Sequence, residues 1–173
     1  MAPALKTKEG LDIGDNMRIQ KSTRHSRITG DFGESLVLYL LSKTGFECAR
    51  IDHTGIDLIA RRPNSSELMG ISVKSRSRSE GTEGTHIAVT KDHIGKIQEA
   101  CRSFKCKPYI AFVVDEAKTI RVMLISVKHM LKIRPGGKKV AAWSMSDNEL
   151  QRYRDSKHVM WLELGLHEGR WWN

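Results

Sequence analysis

Several things are scarce in this chain. Aromatic residues make up only 6% of its 173 positions, and cysteine occurs three times, at Cys48, Cys101 and Cys106. So sparse and odd a set of thiols builds no disulfide framework, and the setting expected from it is the reducing cytoplasm. No apolar run approaches the ~20 residues that span a bilayer, so no membrane helix is expected. The first residues, Met1 to Ile13, carry Lys6, Lys8 and Glu9 without an apolar segment, and do not read as a secretory signal. Positive charge, by contrast, is in excess. There are 29 Lys and Arg against 20 Asp and Glu, a formal net charge of +9. Such a surface attracts polyanions through counterion release, but charge alone does not separate a nucleic-acid binder from a merely soluble basic domain. Hydrophobic residues, 39% of the chain, gather in short runs, and the length suits one domain with a core of its own.

Residues 1–28 are polar, with Lys6, Lys8, Arg18, Lys21, Arg24 and Arg27, and read as a basic, flexible arm. A single domain of residues 29–173 follows, with a core of about 30–128 and a C-terminal helix–strand extension at 129–173. From Phe32 to Lys43 apolar residues fall on most sides, predicting a largely buried helix that stops at Thr44-Gly45, with Gly45 in a left-handed position. Strands are expected at 46–51, 56–61 and 68–75, the last two joined by the turn cluster Pro63-Asn64-Ser65-Ser66. The stretch 75–84 lacks apolar residues and reads as a mobile loop. Then come a short strand at 86–90, a helix at 92–104 with Ile94, Ile97 and Ala100 or Cys101 inward, and strands at 108–114 and 119–127. Gly136-Gly137-Lys138-Lys139 is a basic turn. Ser146-Asp147-Asn148-Glu149 has the pattern of a capping box and should open a helix to about Asp155, before a last strand at 159–166. The order predicts an α/β fold, a mixed central sheet flanked by helices.

Three polar residues stand in apolar surroundings. Glu34 lies three, four and seven residues before Val37, Leu38 and Leu41, so it shares their stripe, and burying an unpaired carboxylate costs several kcal/mol, roughly. As a helix N-terminal acid it has a bland explanation too. Asp57 opens the apolar strand Ile56 to Ala60, where it could equally cap a turn. Lys74 ends Met69-Gly70-Ile71-Ser72-Val73-Lys74, with Ser72 on the same face by period two. If the two strands pair about Asn64-Ser65, positions summing to 129 lie opposite one another. Asp57 then faces Ser72, with Lys74 one diagonal away; a slip of one residue would undo this.

In their order, Gly33-Glu34, then Gly55-Ile56-Asp57, then Ile71-Ser72-Val73-Lys74-Ser75-Arg76 resemble the PD-(D/E)xK nuclease superfamily, nearest to its Holliday-junction-resolvase-like members, over about 30–114. The resemblance implies a restriction-endonuclease-like αβββαβ core and a metal-dependent endonuclease that hydrolyses DNA phosphodiesters in repair, recombination or restriction. Glu34 and Asp57 would hold Mg²⁺ or Mn²⁺, Lys74 would serve the attacking water, and Ser72 would assist. Gln98 is the candidate accessory residue of the following helix. Branched or structured DNA and a homodimer are also implied. The chain departs from the pattern at Ser72, where the family carries an acid. Either Ser72 acts through a water, or Glu99 or Asp92 moves in from the following helix, or the site is degenerate.

The alternative functions are therefore a catalytically degenerate nucleic-acid binder of the same fold and a protein-interaction domain. Arg61, Arg76, Arg78 and Lys91 are the candidate phosphate contacts. Cys101 and Cys106, with His86 and His93 nearby, lack the spacing of a zinc site, and a small buried thiol explains Cys101 better. Trp161 reads as core, and Trp171-Trp172 as a base-stacking or dimer-interface pair.

Overall fold

A computed structural model describes residues 21–79, 81–116, 118–135, 137 and 140–166. The elements are α1 (His25–Lys43), β1 (Glu47–His53), β2 (Ile56–Arg61), β3 (Leu68–Ser77), β4 (Ile87–Thr90), α2 (Lys91–Ser103), β5 (Lys107–Glu116), β6 (Thr119–Ser126), α3 (Val127–Ile133), β7 (Val140–Trp143), α4 (Asp147–Arg154) and β8 (Val159–Gly165). Six strands form one sheet in the order β1-β2-β3-β5-β6-β8, while β4 and β7 pair separately. Only β3 and β5 run parallel within the large sheet, and α2 lies between them in the chain, as a parallel crossover requires. The sheet is mixed and flanked by helices, the restriction-endonuclease-like arrangement expected.

Strand β5 explains the two layers. Its continuous apolar run is buried on both sides: Ile110, Phe112 and Val114 face the core around α2, and Ala111 and Val113 face the core around α1. The α2 core also takes Ile94, Ile97, Ala100 and Cys101, together with Trp143, which stacks between Phe112 at 4.8 Å and Tyr153 at 3.9 Å. The α1 core joins Val37 and Leu41 to Leu58, Ala60, Met69 and Ile71. Each of the Val, Leu, Ile and Met side chains contributes about 1.5–3 kcal/mol by leaving water.

Several expectations need correction. Helix α1 starts at His25, inside the stretch taken as an arm, because its polar first turns carry no apolar period to reveal them. It is also not buried on most sides. Only Gly33, Val37 and Leu41 are, while Phe32 and Tyr39 remain 42% and 56% exposed, since a single face meets the sheet. Its end is as expected: Gly45 sits at φ 86°, and Phe46 N–H returns to Leu41 O at 3.0 Å. Strand β3 runs on to Ser77 where a loop was expected, held by its pairing to β5. Elements α3 and β7, being short, were not anticipated. Helix α4 opens after Ser146 without the side-chain bonds of a capping box, because Glu149 turns to Arg134 at 2.5 Å and Arg152 at 3.7 Å. Trp161 is only partly buried, with the Arg154 guanidinium 5.2 Å above its ring. Most of the basic turn at 136–139, residues 1–20 and the Trp171-Trp172 pair lie outside the described residues. Among the described residues no helix is long and apolar enough to cross a membrane.

Candidate active site

The β2–β3 hairpin builds the site. Asn64 takes the left-handed conformation its turn demands, φ 54°. The ladder then pairs Arg61 with Leu68, Ala60 with Met69, Ile59 with Gly70 and Leu58 with Ile71, the register anticipated from the sequence. One step beyond the last pair, Asp57 comes opposite Ser72. There its side chain takes over from the ladder: Oδ2 accepts the backbone N–H of Val73 at 2.6 Å and the hydroxyl of Ser72 at 3.3 Å. Asp57 thus caps the strand and anchors the polar group at once.

Two glycines let helices close on this point. A Cβ on Gly33 would lie 1.8 Å from Ser75 Oγ, so only glycine allows α1 to approach β3 this closely. The neighbouring Glu34 is thereby carried to Asp57: its carboxyl is raised above the usual range, first by burial and then by the Asp57 charge, with Arg50 opposing. Gly55, at φ 105°, precedes Asp57, and a Cβ there would lie 2.5 Å from the carbonyl oxygen of Lys96 on α2. The turn is therefore pressed against the helix that supplies the next member of the group.

That member is His93, which was not among the residues expected at the site. Thr90 caps α2 by accepting the His93 N–H at 3.1 Å, and His93 Nε2 lies 3.0 Å from Ser72 Oγ. Ser72 is 2% exposed, so its hydroxyl is held between carboxylate and imidazole with almost no access to water. Burial, aided by the Lys74 charge, holds His93 below the usual imidazole range. With the Ser72 proton given to Asp57, the neutral ring donates its Nε2–H to the hydroxyl oxygen. A signal for His93 did exist: it stands four and seven residues before Ile97 and Ala100, on the inward stripe of α2. Lys74, two residues from Ser72 on the same face, is half-buried. Desolvation lowers its pKa, Asp57 opposes this, and Arg76 adds to it.

The structure thus gathers Asp57, Ser72, His93 and Lys74, with Glu34 approaching Asp57 from α1. Gln98 and Glu99 stand apart on exposed faces of α2. Gln98 is five residues past His93, about 140° round the helix, and lines a groove with Cys101, Arg102, Cys106 and Pro108. Asp92 is exposed and paired with Lys96 at 2.8 Å. Of the basic candidates, Arg76 is exposed beyond Lys74, and Lys91 is exposed at the start of α2. Arg78 is half-buried, its guanidinium donating to Thr85 O at 2.8 Å, so it holds the following loop. Arg61 lies four residues along β2 from Asp57, about 13 Å at strand rise, and pairs with Glu47 at 3.7 Å. Lys21 donates to Ser77 O at 2.9 Å and so brings the start of the described residues to the same end of β3.

Two carboxylates, a hydroxyl and an imidazole are a poor match to the acidic metal site that the resemblance implies. Oδ2 of Asp57 is already engaged, a hydroxyl replaces the third acid, and no three His, Cys, Asp or Glu side chains among the described residues are grouped so as to hold an ion.

An α-helix, three antiparallel strands, a crossover helix and a parallel strand around such a hairpin define the restriction-endonuclease-like fold. The solved structure of Hjc, a Holliday junction resolvase from Archaeoglobus fulgidus, is similar, with a TM-score of 0.50 and 19% identity over 67% of this chain and 91% of that chain. At that identity the likeness concerns the fold. No family model matches the chain, and no curated protein does.

Proposed function

We propose that this protein binds structured DNA on the face where β3 leaves the sheet, as a remodelled member of the nuclease fold. One observation carries the reading: the place of the third acid holds Ser72, closed between Asp57 and His93 by hydrogen bonds of 3.3 and 3.0 Å. A hydroxyl committed in this way is a poor ligand for a hard cation, which prefers carboxylate oxygen. The net charge of +9 and the exposed Arg76 and Lys91 supply the phosphate-binding term, which needs no metal. The likeness to a resolvase supports DNA, branched DNA included, as the polyanion.

The test is fluorescence polarisation with a four-way junction and a linear duplex, in EDTA and in Mg²⁺. Binding should fall steeply with salt and be indifferent to the chelator. No affinity at physiological salt would remove the reading and favour an acidic protein partner instead. A second reading, metal-dependent phosphodiester hydrolysis at the same cluster, is favoured by the half-buried Lys74, whose proton is loosened by burial against the opposing pull of the Asp57 carboxylate. It predicts plasmid nicking with Mg²⁺ or Mn²⁺ that Lys74→Ala abolishes and that chelation prevents.

A further inference from the structure

Helix α2 ends in a Schellman motif. Lys105 takes φ 50°, its N–H reaches Arg102 O at 3.3 Å, and the N–H of Cys106 reaches Cys101 O at 2.9 Å. This ending brings the residues at the two ends of its longer hydrogen bond into side-chain contact. In such endings that contact is frequently a pair of apolar groups; here it is a pair of thiols. Both turn over the bare backbone of Gly70: a Cβ there would lie 2.6 Å from Cys101 Sγ and 2.6 Å from Cys106 Sγ, so the sulfurs converge on one point. A disulfide joins Cα atoms roughly 4.4–6.8 Å apart, and the two thiols are near enough for Cys106 to act directly on Cys101.

The two thiols differ in access. Cys101 is 2% exposed, donates to Gly70 O at 3.8 Å, and is pushed up to about 12 by burial and by its neighbour Cys106. Cys106 is only partly buried, and the pair lines an open groove with Gln98, Arg102 and Pro108. Cys48 is elsewhere, its Sγ 3.6 Å from Leu38 O behind α1.

We propose that Cys101 and Cys106 form a dithiol modification site that exchanges with a low-molecular-weight disulfide and closes into an intramolecular bond. The thiolate of Cys106 attacks one sulfur of the incoming disulfide, forms a mixed disulfide and releases the other half as a thiolate. Cys101 then gives up its proton to solvent, attacks the Cys106 sulfur and expels the second thiolate. Two protein thiols are oxidised and one small disulfide is reduced to two thiols. The proximity of Cys101 makes the second step intramolecular, so the mixed disulfide should not accumulate.

Reduced full-length protein, freed of reductant, is incubated with oxidised glutathione under argon and read by intact mass after alkylation. Wild type should lose two hydrogens and keep one alkylatable thiol, mapped by peptide to Cys48. Cys48→Ser should close the same bond. Cys101→Ser, or Cys101→Ala if the first fails to fold by circular dichroism, should instead hold a single glutathione on Cys106. A stable glutathione adduct on the wild type, a bond that includes Cys48, no reaction at all, or closure as fast in 8 M urea as in buffer would each overturn the proposal.

Discussion

Substituting Gly33 probes how the site is assembled. A Cβ at Gly33 meets Ser75 Oγ at 1.8 Å and Ser75 Cβ at 2.9 Å, distances no native contact tolerates, whereas Val113 Cβ at 3.5 Å is an ordinary neighbour. Ser75 is anchored in the parallel β3–β5 ladder opposite Val113, and α1 is anchored by Val37 and Leu41, so neither backbone yields freely. Overpacking of this kind costs about 1–3 kcal/mol. In a domain of this size that lowers Tm by about 2–4 °C per kcal/mol. Alanine returns about 1 kcal/mol through its better helix propensity, so Gly33→Ala should melt up to roughly 8 °C below wild type by calorimetry. The opposing Ser75→Gly removes both clashing atoms. The double substitution should recover most of the loss, with a coupling energy of about 1 kcal/mol or more. Because Glu34 follows Gly33, the single variant should also relax the Asp57 influence on the Glu34 carboxyl, visible as a lower Glu34 pKa by carbon-detected NMR. A Gly33→Ala protein that melts above wild type, or a double variant no better than the single, would refute the idea that close approach of α1 to β3 builds the site.

Other perturbations follow from the same contacts. Asp57→Ala strips the acceptor from the partly buried Val73 N–H and from the buried Ser72 hydroxyl and should cost about 1–3 kcal/mol in urea unfolding, while Asp57→Asn, which keeps an oxygen there, should cost clearly less. Glu67 is held below the usual carboxylate range by its hydrogen bond to Lys107, helped by Tyr109. Its folded pKa lies below the unfolded one, so its stabilisation is present above pH 4.5 and is lost as pH falls through the lowered value; Glu67→Gln should flatten that part of the stability curve, and an unchanged slope would exclude the linkage. Removing Arg76 or Lys91 should each weaken junction binding and reduce its log–log salt slope by about 1, whereas Arg61→Ala, at the other end of β2, should leave the slope nearly alone.

The local pattern was enough to place most elements and one decisive register. The Asn64-Ser65 turn and the period-two strands on either side of it allow only one pairing that buries Leu58, Ala60, Met69 and Ile71 together, so Asp57 opposite Ser72 could be read from the chain alone. Gly45, and the inward face of α2, were legible for the same reason: their signals lie within a few residues. The first turns of α1 and the elements α3 and β7 were not, because polar or very short segments leave no periodicity. What only the tertiary structure decided is the company Ser72 keeps. His93 is 21 residues away in sequence and reaches the hydroxyl because Gly55 lets the β1–β2 turn seat against the backbone of α2. Gln98, a likelier polar residue by type, is turned aside by the pitch of the same helix. The sequence determines which faces are apolar and where turns form, since those depend on near neighbours. Which polar side chains meet across the sheet depends on the packing of helices against it, and at Gly33 and Gly55 that packing is set by the absence of a single carbon.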